Sequence, residues 1–163
     1  MEVAERIRQR PTTIQIIDYD EQYRNGVVNV AREIHAHSIY RNVPMDEEKI
    51  VRQLALAGGI APDRFFKLAV RGNDVLGGFL GCTFVPFFAD SLLARDLGWW
   101  VKESSRGGAA AILLLQAFES WARDRGATKS MVGQSGIENI ERTTGLYVHC
   151  GYSITGFNTC KEL

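Results

Sequence analysis

The spacing of apolar residues changes several times along this chain, and each change marks an element. Residues 12–18 alternate and are rich in β-branched side chains, which predicts a strand. Asp20 can cap a helix over residues 21–36, where Tyr23, Val27, Val30, Ala31 and Ile34 recur at helical spacing. Asp46 looks like the cap of a second helix with Ile50, Leu54 and Ala57 on its apolar face. On that helix Glu48 and Arg52 stand one turn apart and can pair, and Gly58-Gly59 ends it. Residues 65–70 and 75–85 predict a hairpin turning at Gly72-Asn73-Asp74 and broken by Pro86. Residues 92–101 form a further apolar strand. From 110 to 125 the pattern is helical again, through Ile112, Leu113, Leu115, Ala117, Phe118, Trp121 and Ala122. A helix apolar around so much of its surface packs against a sheet. Gly126 stops it. A strand over 129–133, a shorter helix over 138–150 stopped by Gly151, and final strands over 152–155 and 157–160 complete the pattern.

The predicted order is β-α-α-β-β-β-α-β-α-β-β. It implies a single-domain α/β (α+β) fold with a mixed, mostly antiparallel twisted sheet flanked by helices. The hairpin favours antiparallel neighbours early, and the long helix between residues 101 and 129 favours a parallel crossover. Residues 1–11 carry Arg6, Arg8 and Arg10 with no apolar run after them, so they predict a solvated extension before a domain over 12–163.

The 163 residues suffice for one domain with a full core, and 45% apolar and 23% charged residues are ordinary for a globular protein. Zero net charge argues against general nucleic-acid binding. No run approaches the ~20 apolar residues of a membrane span. A cytoplasmic location is expected. Cys82, Cys150 and Cys160 give neither a disulfide framework nor a zinc spacing. His35 and His37 are two apart on a helix and point in different directions, so no metal site is expected. His149 falls at a helix C-terminus.

Candidate chemistry centres on Arg106-Gly107-Gly108-Ala109-Ala110-Ala111. An apolar strand, a small-residue turn and a helix start together make a phosphate cradle, because the first helical turn leaves N–H groups unpaired. No Lys-Ser or Lys-Thr pair follows, as a nucleoside-triphosphate loop requires, and Gly78 and Gly81 precede no helix start, as a dinucleotide fold requires. A tight turn feeding an Ala-rich helix explains the run alone equally well.

Two blocks together say more. The first runs Gly98-Trp99-Trp100-Val101 to Arg106-Gly107-Gly108-Ala109-Ala110-Ala111, then through Leu113-Leu114, Phe118-Glu119-Ser120-Trp121-Ala122-Arg123 and Arg125-Gly126-Ala127. The second is Leu146-Tyr147-Val148-His149-Cys150-Gly151-Tyr152. In this order they resemble the GCN5-related N-acetyltransferase (GNAT) family: its acetyl-CoA loop, the helix after it, and its Tyr-x-x-x-Gly-(Phe/Tyr) segment. The family pattern is Gln/Arg-x-x-Gly-x-Gly/Ala, and Ala109 stands at its central glycine. A helical first turn needs no positive φ, but the methyl group lies beside backbone that would meet a pyrophosphate.

The resemblance implies transfer of an acetyl group from acetyl-CoA to an amine of a small molecule or a protein. It implies a cofactor cleft where the strand of Trp99, Trp100 and Val101 splays from the strand after the long helix. The pyrophosphate would rest on the amides of Gly107, Gly108, Ala109, Ala110 and Ala111, with Arg106 adding charge and Asn139, or its neighbour Glu138 or Ile140, touching the cofactor; His35 or His37 would line a substrate entrance. A backbone N–H on the splayed strand would polarise the thioester carbonyl. Tyr147 corresponds to the family tyrosine that protonates the leaving thiolate. For the base there are three options: Asp96, Glu103, or a water chain with no dedicated base. Trp99 and Trp100, adjacent on a strand, face opposite sides, one under the long helix and one toward the acceptor. Phe84, Phe87 and Phe88 form either a substrate wall or a core or homodimer surface. A weakly catalytic acyl-CoA-binding or regulatory module with the same fold is the alternative to an enzyme.

Overall fold

The computed structural model describes residues 13–59, 61–133, 140–156 and 159–161. Among them five strands form one sheet in sequence order: β1 (Gln15–Ile17), β2 (Arg64–Arg71), β3 (Asp74–Phe84), β4 (Leu93–Val101) and β5 (Ser130–Met131). The first three pairings are antiparallel and the last, β4 with β5, is parallel. Connection length accounts for this. A tight turn at Gly72 joins β2 to β3, whereas a parallel pair needs a crossover, here the helix α3 (Ala110–Asp124).

β2 shows how the sheet is covered. Phe65 and Ala69 point to the face packed by Leu114, Leu115 and Phe118 of α3. Phe66, Leu68 and Val70 point to the other face, against Val27 and Val30 of α1 (Arg24–Ala36) and Leu54 of α2 (Glu47–Gly59). Such a strand is buried on both sides, so it reads as a nearly unbroken apolar run. Phe118 stacks on Phe79 at 4.4 Å between centroids, and both are fully buried. Each such side chain contributes about 1.5–3 kcal/mol on removal from water.

The predicted caps form. Asp20 Oδ1 accepts from the Gln22 amide at 2.9 Å, opening a short 3-10 turn before α1, and Asp46 Oδ1 accepts from the Lys49 amide at 2.9 Å. The predicted Glu48–Arg52 pair is replaced. Glu48 meets Arg24 at 2.5 Å and Glu47 meets Arg32 at 2.6 Å, both on α1. The two helices pack side by side, and this puts an α1 guanidinium closer to each carboxylate than its own helix does.

The chain end also departs from expectation. α4 spans Ile140–His149, and the predicted positions 138 and 139 lie outside the described residues. Residues 152–156 and 159–161 form no strand, and positions 157 and 158 of the second predicted strand lie outside the described residues. Their template would be the outer edge of β5, which is only two residues long. Tyr152 is held by other means: its amide donates to the Tyr147 carbonyl at 2.9 Å, and its hydroxyl lies 2.8 Å from Ser130 Oγ.

Candidate active site

β4 and β5 pair only at Ala94–Ser130 and Arg95–Met131. Beyond those residues the strands part, and β4 continues to Val101 with no strand partner on that edge among the described residues. The opposite edge of β4 carries an irregularity: Gly81 faces Asp96, Leu80 faces Gly98, and Leu97 is the extra residue. A bulge re-aims side chains on either side of it. The opening between the parted strands is a cavity of about 540 Å³.

Asp96 stands at the fork, one residue past the last paired position. Its Oδ1 accepts the Gly133 amide at 3.0 Å, where the ladder has just ended. Tyr147 of α4 closes the same point from the other side, donating its hydroxyl to the Gly133 carbonyl at 2.7 Å. Gly133 is therefore clamped through both of its backbone groups. Burial raises the Asp96 carboxyl above the ordinary carboxylate range, more than the Gly133 amide and its own amide lower it. Burial, with the Asp96 charge second, raises Tyr147 as well, so the phenol keeps its proton.

The two tryptophans do face opposite sides. Trp99 packs on Phe79 and Tyr147, each at 5.6 Å between centroids, under α3. Trp100 lies over Phe66 at 6.3 Å on the side of α1 and α2. It needs Gly78 on the neighbouring strand, because a Cβ there would come within 2.9 Å of its ring. Both residues line the cavity, and both indole Nε1 atoms are buried without a hydrogen-bond partner. A buried donor left unpaired costs about 1–3 kcal/mol.

The other end of the cavity is the small-residue loop. Gly107 has φ +84, a conformation that side chains resist. The N-cap of α3, Ala109, makes no side-chain cap bond, so no side chain takes the first-turn amides. Arg106, Gly107, Gly108 and Ala111 line the cavity. Ala109 does not: it is exposed, with φ −70 and ψ −14, and alanine fits there without strain. The Ala110 side chain also turns away, into the core under α3. Arg106 Nε donates to the Val101 carbonyl at 3.3 Å. This loop suits a phosphate-bearing cofactor.

The remaining predicted residues fall as follows. Val101 lines the cavity, and Asn139 lies outside the described residues. Glu103 sits in a 3-10 turn away from the cavity, its amide bonded to Glu33 Oε1 at 2.5 Å. His37 lines the cavity with Ile34, Ser38 and Tyr40, while His35 Nε2 lies 2.8 Å from the Val43 carbonyl. Phe84, Phe87 and Phe88 form no wall of it. Phe84 lies under the Arg95 guanidinium at 4.9 Å, and Phe87 and Phe88 are exposed beyond the end of β3. Sequence reasoning missed Gly133 and Arg142. A glycine after a short strand and an arginine among helix-surface residues carry no local signal of a site. Among the described residues no helix is long and apolar enough to cross a membrane.

No protein-family model matches the sequence, and no curated protein matches it. Solved structures do match its shape. A transcriptional regulator from Bacillus halodurans C-125 superposes with a TM-score of 0.71 at 13% identity, over 93% of this chain and 100% of that one. AAC(6')-Iy, solved with the bisubstrate analog CoA-S-monomethyl-acetylneamine, gives 0.71 at 12% identity, over 93% and 99%. A GNAT family acetyltransferase of Staphylococcus aureus gives 0.64 at 14% identity, over 93% and 99%. The parted parallel strands, the loop before α3 and the full-length superpositions agree: this chain has the GNAT acetyltransferase fold.

Proposed function

We propose that the protein is an acyltransferase that moves an acetyl group from acetyl-CoA to an amine. The observation that carries this reading is the fork itself. A half-buried carboxylate and a buried phenol meet on Gly133 at one end of a cavity whose other end is a phosphate-type loop. Bound acetyl-CoA would supply a thioester carbonyl open to attack by the amine.

Gly107, Gly108 and the first-turn amides of α3 hold the diphosphate, and Arg106 adds charge. The unpartnered edge of β4 beyond Arg95 offers backbone groups to the amide-bearing arm and one N–H to the reacting carbonyl. Asp96 accepts the proton that the amine sheds. Its raised pKa makes it a stronger base than a surface carboxylate and brings it nearer the working pH. Tyr147 holds its proton and donates toward the leaving sulfur. An anionic sulfur competes well for that hydrogen, because bonds to charged acceptors are about twice as strong as neutral ones. The acceptor enters past Ile34, His37, Ser38 and Tyr40.

The test has two readouts. Acetyl-CoA raises the melting temperature, since a ligand bound only by the folded state stabilises it. Incubation with a panel of amines then releases free CoA. Absence of a shift with acetyl-CoA and with longer acyl-CoAs overturns the proposal. A second reading is a weakly catalytic acyl-CoA-binding module. It is favoured by the Tyr147 hydroxyl being committed to the Gly133 carbonyl. A clear thermal shift with no CoA release across the panel selects it.

A further inference from the structure

Arg142 is the one charged residue of α4 on the wall of the cavity. The helix presents Arg142, Thr143, Leu146 and Tyr147 there, positions that share one helical face. The guanidinium extends across to the small-residue loop. A Cβ built on Gly107 would stand 2.5 Å from Arg142 Nη2. Gly107 is thus required twice, for its positive φ and for the space that Arg142 uses. Arg142 is exposed and forms no ion pair with a described residue, and neither does Arg106. Two arginines that pair with no described carboxylate therefore line the loop end of the cavity, Arg106 from the loop itself and Arg142, whose guanidinium reaches Gly107, from a helix more than thirty residues later.

A cleft wall carrying charge of one sign attracts a ligand of the other. α4 also has little else to hold it, since Tyr147 is its one buried residue among those described. We infer that Arg142 is a ligand of the cofactor's diphosphate and that this contact docks α4, the helix carrying Tyr147, onto the loaded site. The inference rests on the acetyl-CoA reading above. Binding at the phosphate end would then help set the phenol at the chemical end.

Calorimetry with CoA and with 3'-dephospho-CoA tests the contact in the wild type, Arg142→Gln and Arg142→Lys. Arg142→Gln is expected to weaken both ligands by the same factor, about tenfold or more, with Arg142→Lys intermediate. The ligand-free melting temperature should stay the same, because the side chain is exposed. Hydrogen exchange tests the docking: CoA protects the α4 amides in the wild type, and much less in Arg142→Gln at saturating CoA. Unchanged affinity in Arg142→Gln overturns the contact. So does a loss confined to CoA, which would assign Arg142 to the 3'-phosphate. Equal protection of α4 in the two proteins overturns the docking. A wild type that binds no CoA removes the acetyl-CoA reading itself, a result distinct from all of these.

Discussion

The two ends of the cavity are built in different ways. The phosphate end is mostly one contiguous stretch, Arg106 to Ala111, and works through backbone: a positive φ at Gly107 and an uncapped helix start. The chemical end is assembled from three separate segments, Asp96 on β4, Gly133 after β5 and Tyr147 on α4, and works through side chains. Backbone sites tolerate substitution as long as the conformation survives. A site of converging side chains depends on each member, and on the backbone group that joins them.

That contrast sets the expected order of effects. Asp96→Asn is the most damaging to turnover, lowering kcat/KM by roughly 10²–10⁴, the usual contribution of a general base. CoA affinity should hold, since Asp96 is remote from the loop. The pH dependence carries a sign. With a raised pKa, Asp96 in the folded state binds a proton that the unfolded state has released. Unfolding free energy therefore falls as pH rises from the ordinary carboxylate range through the raised value. Asp96→Asn removes that loss while its amide oxygen can still accept from Gly133. Its melting temperature at neutral pH should equal or exceed the wild type's. The acid limb of the wild-type kcat/KM profile should lie above the ordinary carboxylate range and vanish in the variant. A variant that is both inactive and markedly less stable would mean that Asp96 serves only to hold the fork.

Tyr147→Phe comes next, with CoA release slowed about tenfold or more and cofactor affinity nearly unchanged. It also leaves the Gly133 carbonyl without its partner, a cost of about 1 kcal/mol readable in denaturant unfolding. Unchanged turnover would remove the proton-donor role and leave a purely positioning one. Gly107→Ala acts at the other end. It forces a side chain into the left-handed region, at about 1–2 kcal/mol, and displaces Arg142. CoA binding should weaken about tenfold, read by calorimetry. Ala109→Gly is the smallest, with affinity changed less than about threefold, because the methyl group is exposed and off the cavity. A large gain would show that the methyl obstructs the cofactor after all.

Legibility in the sequence followed the same division. The caps at Asp20 and Asp46, the hairpin at Gly72 and the strand-loop-helix around Gly107 all rest on contacts within a few residues, which spacing can reveal. Glu48 was assigned Arg52 by that logic and took Arg24 instead, 24 residues away. A strand over 152–155 needs an edge to pair with, and β5 is too short to template it. Phe84, Phe87 and Phe88 are close in sequence and apolar, but Phe87 and Phe88 fall beyond the end of β3 and stand in solvent.

The alternation of elements and the backbone chemistry of the loop before α3 follow from the sequence alone, because periodicity and local sterics act over a few residues. Only the tertiary structure decided that β4 and β5 part after two pairs, that Asp96 falls at the fork, that Gly133 joins it to Tyr147, and that Arg142 reaches Gly107. Those meetings depend on where a sheet ends and how a helix crosses it. Long-range packing sets both, and no spacing along the chain encodes either.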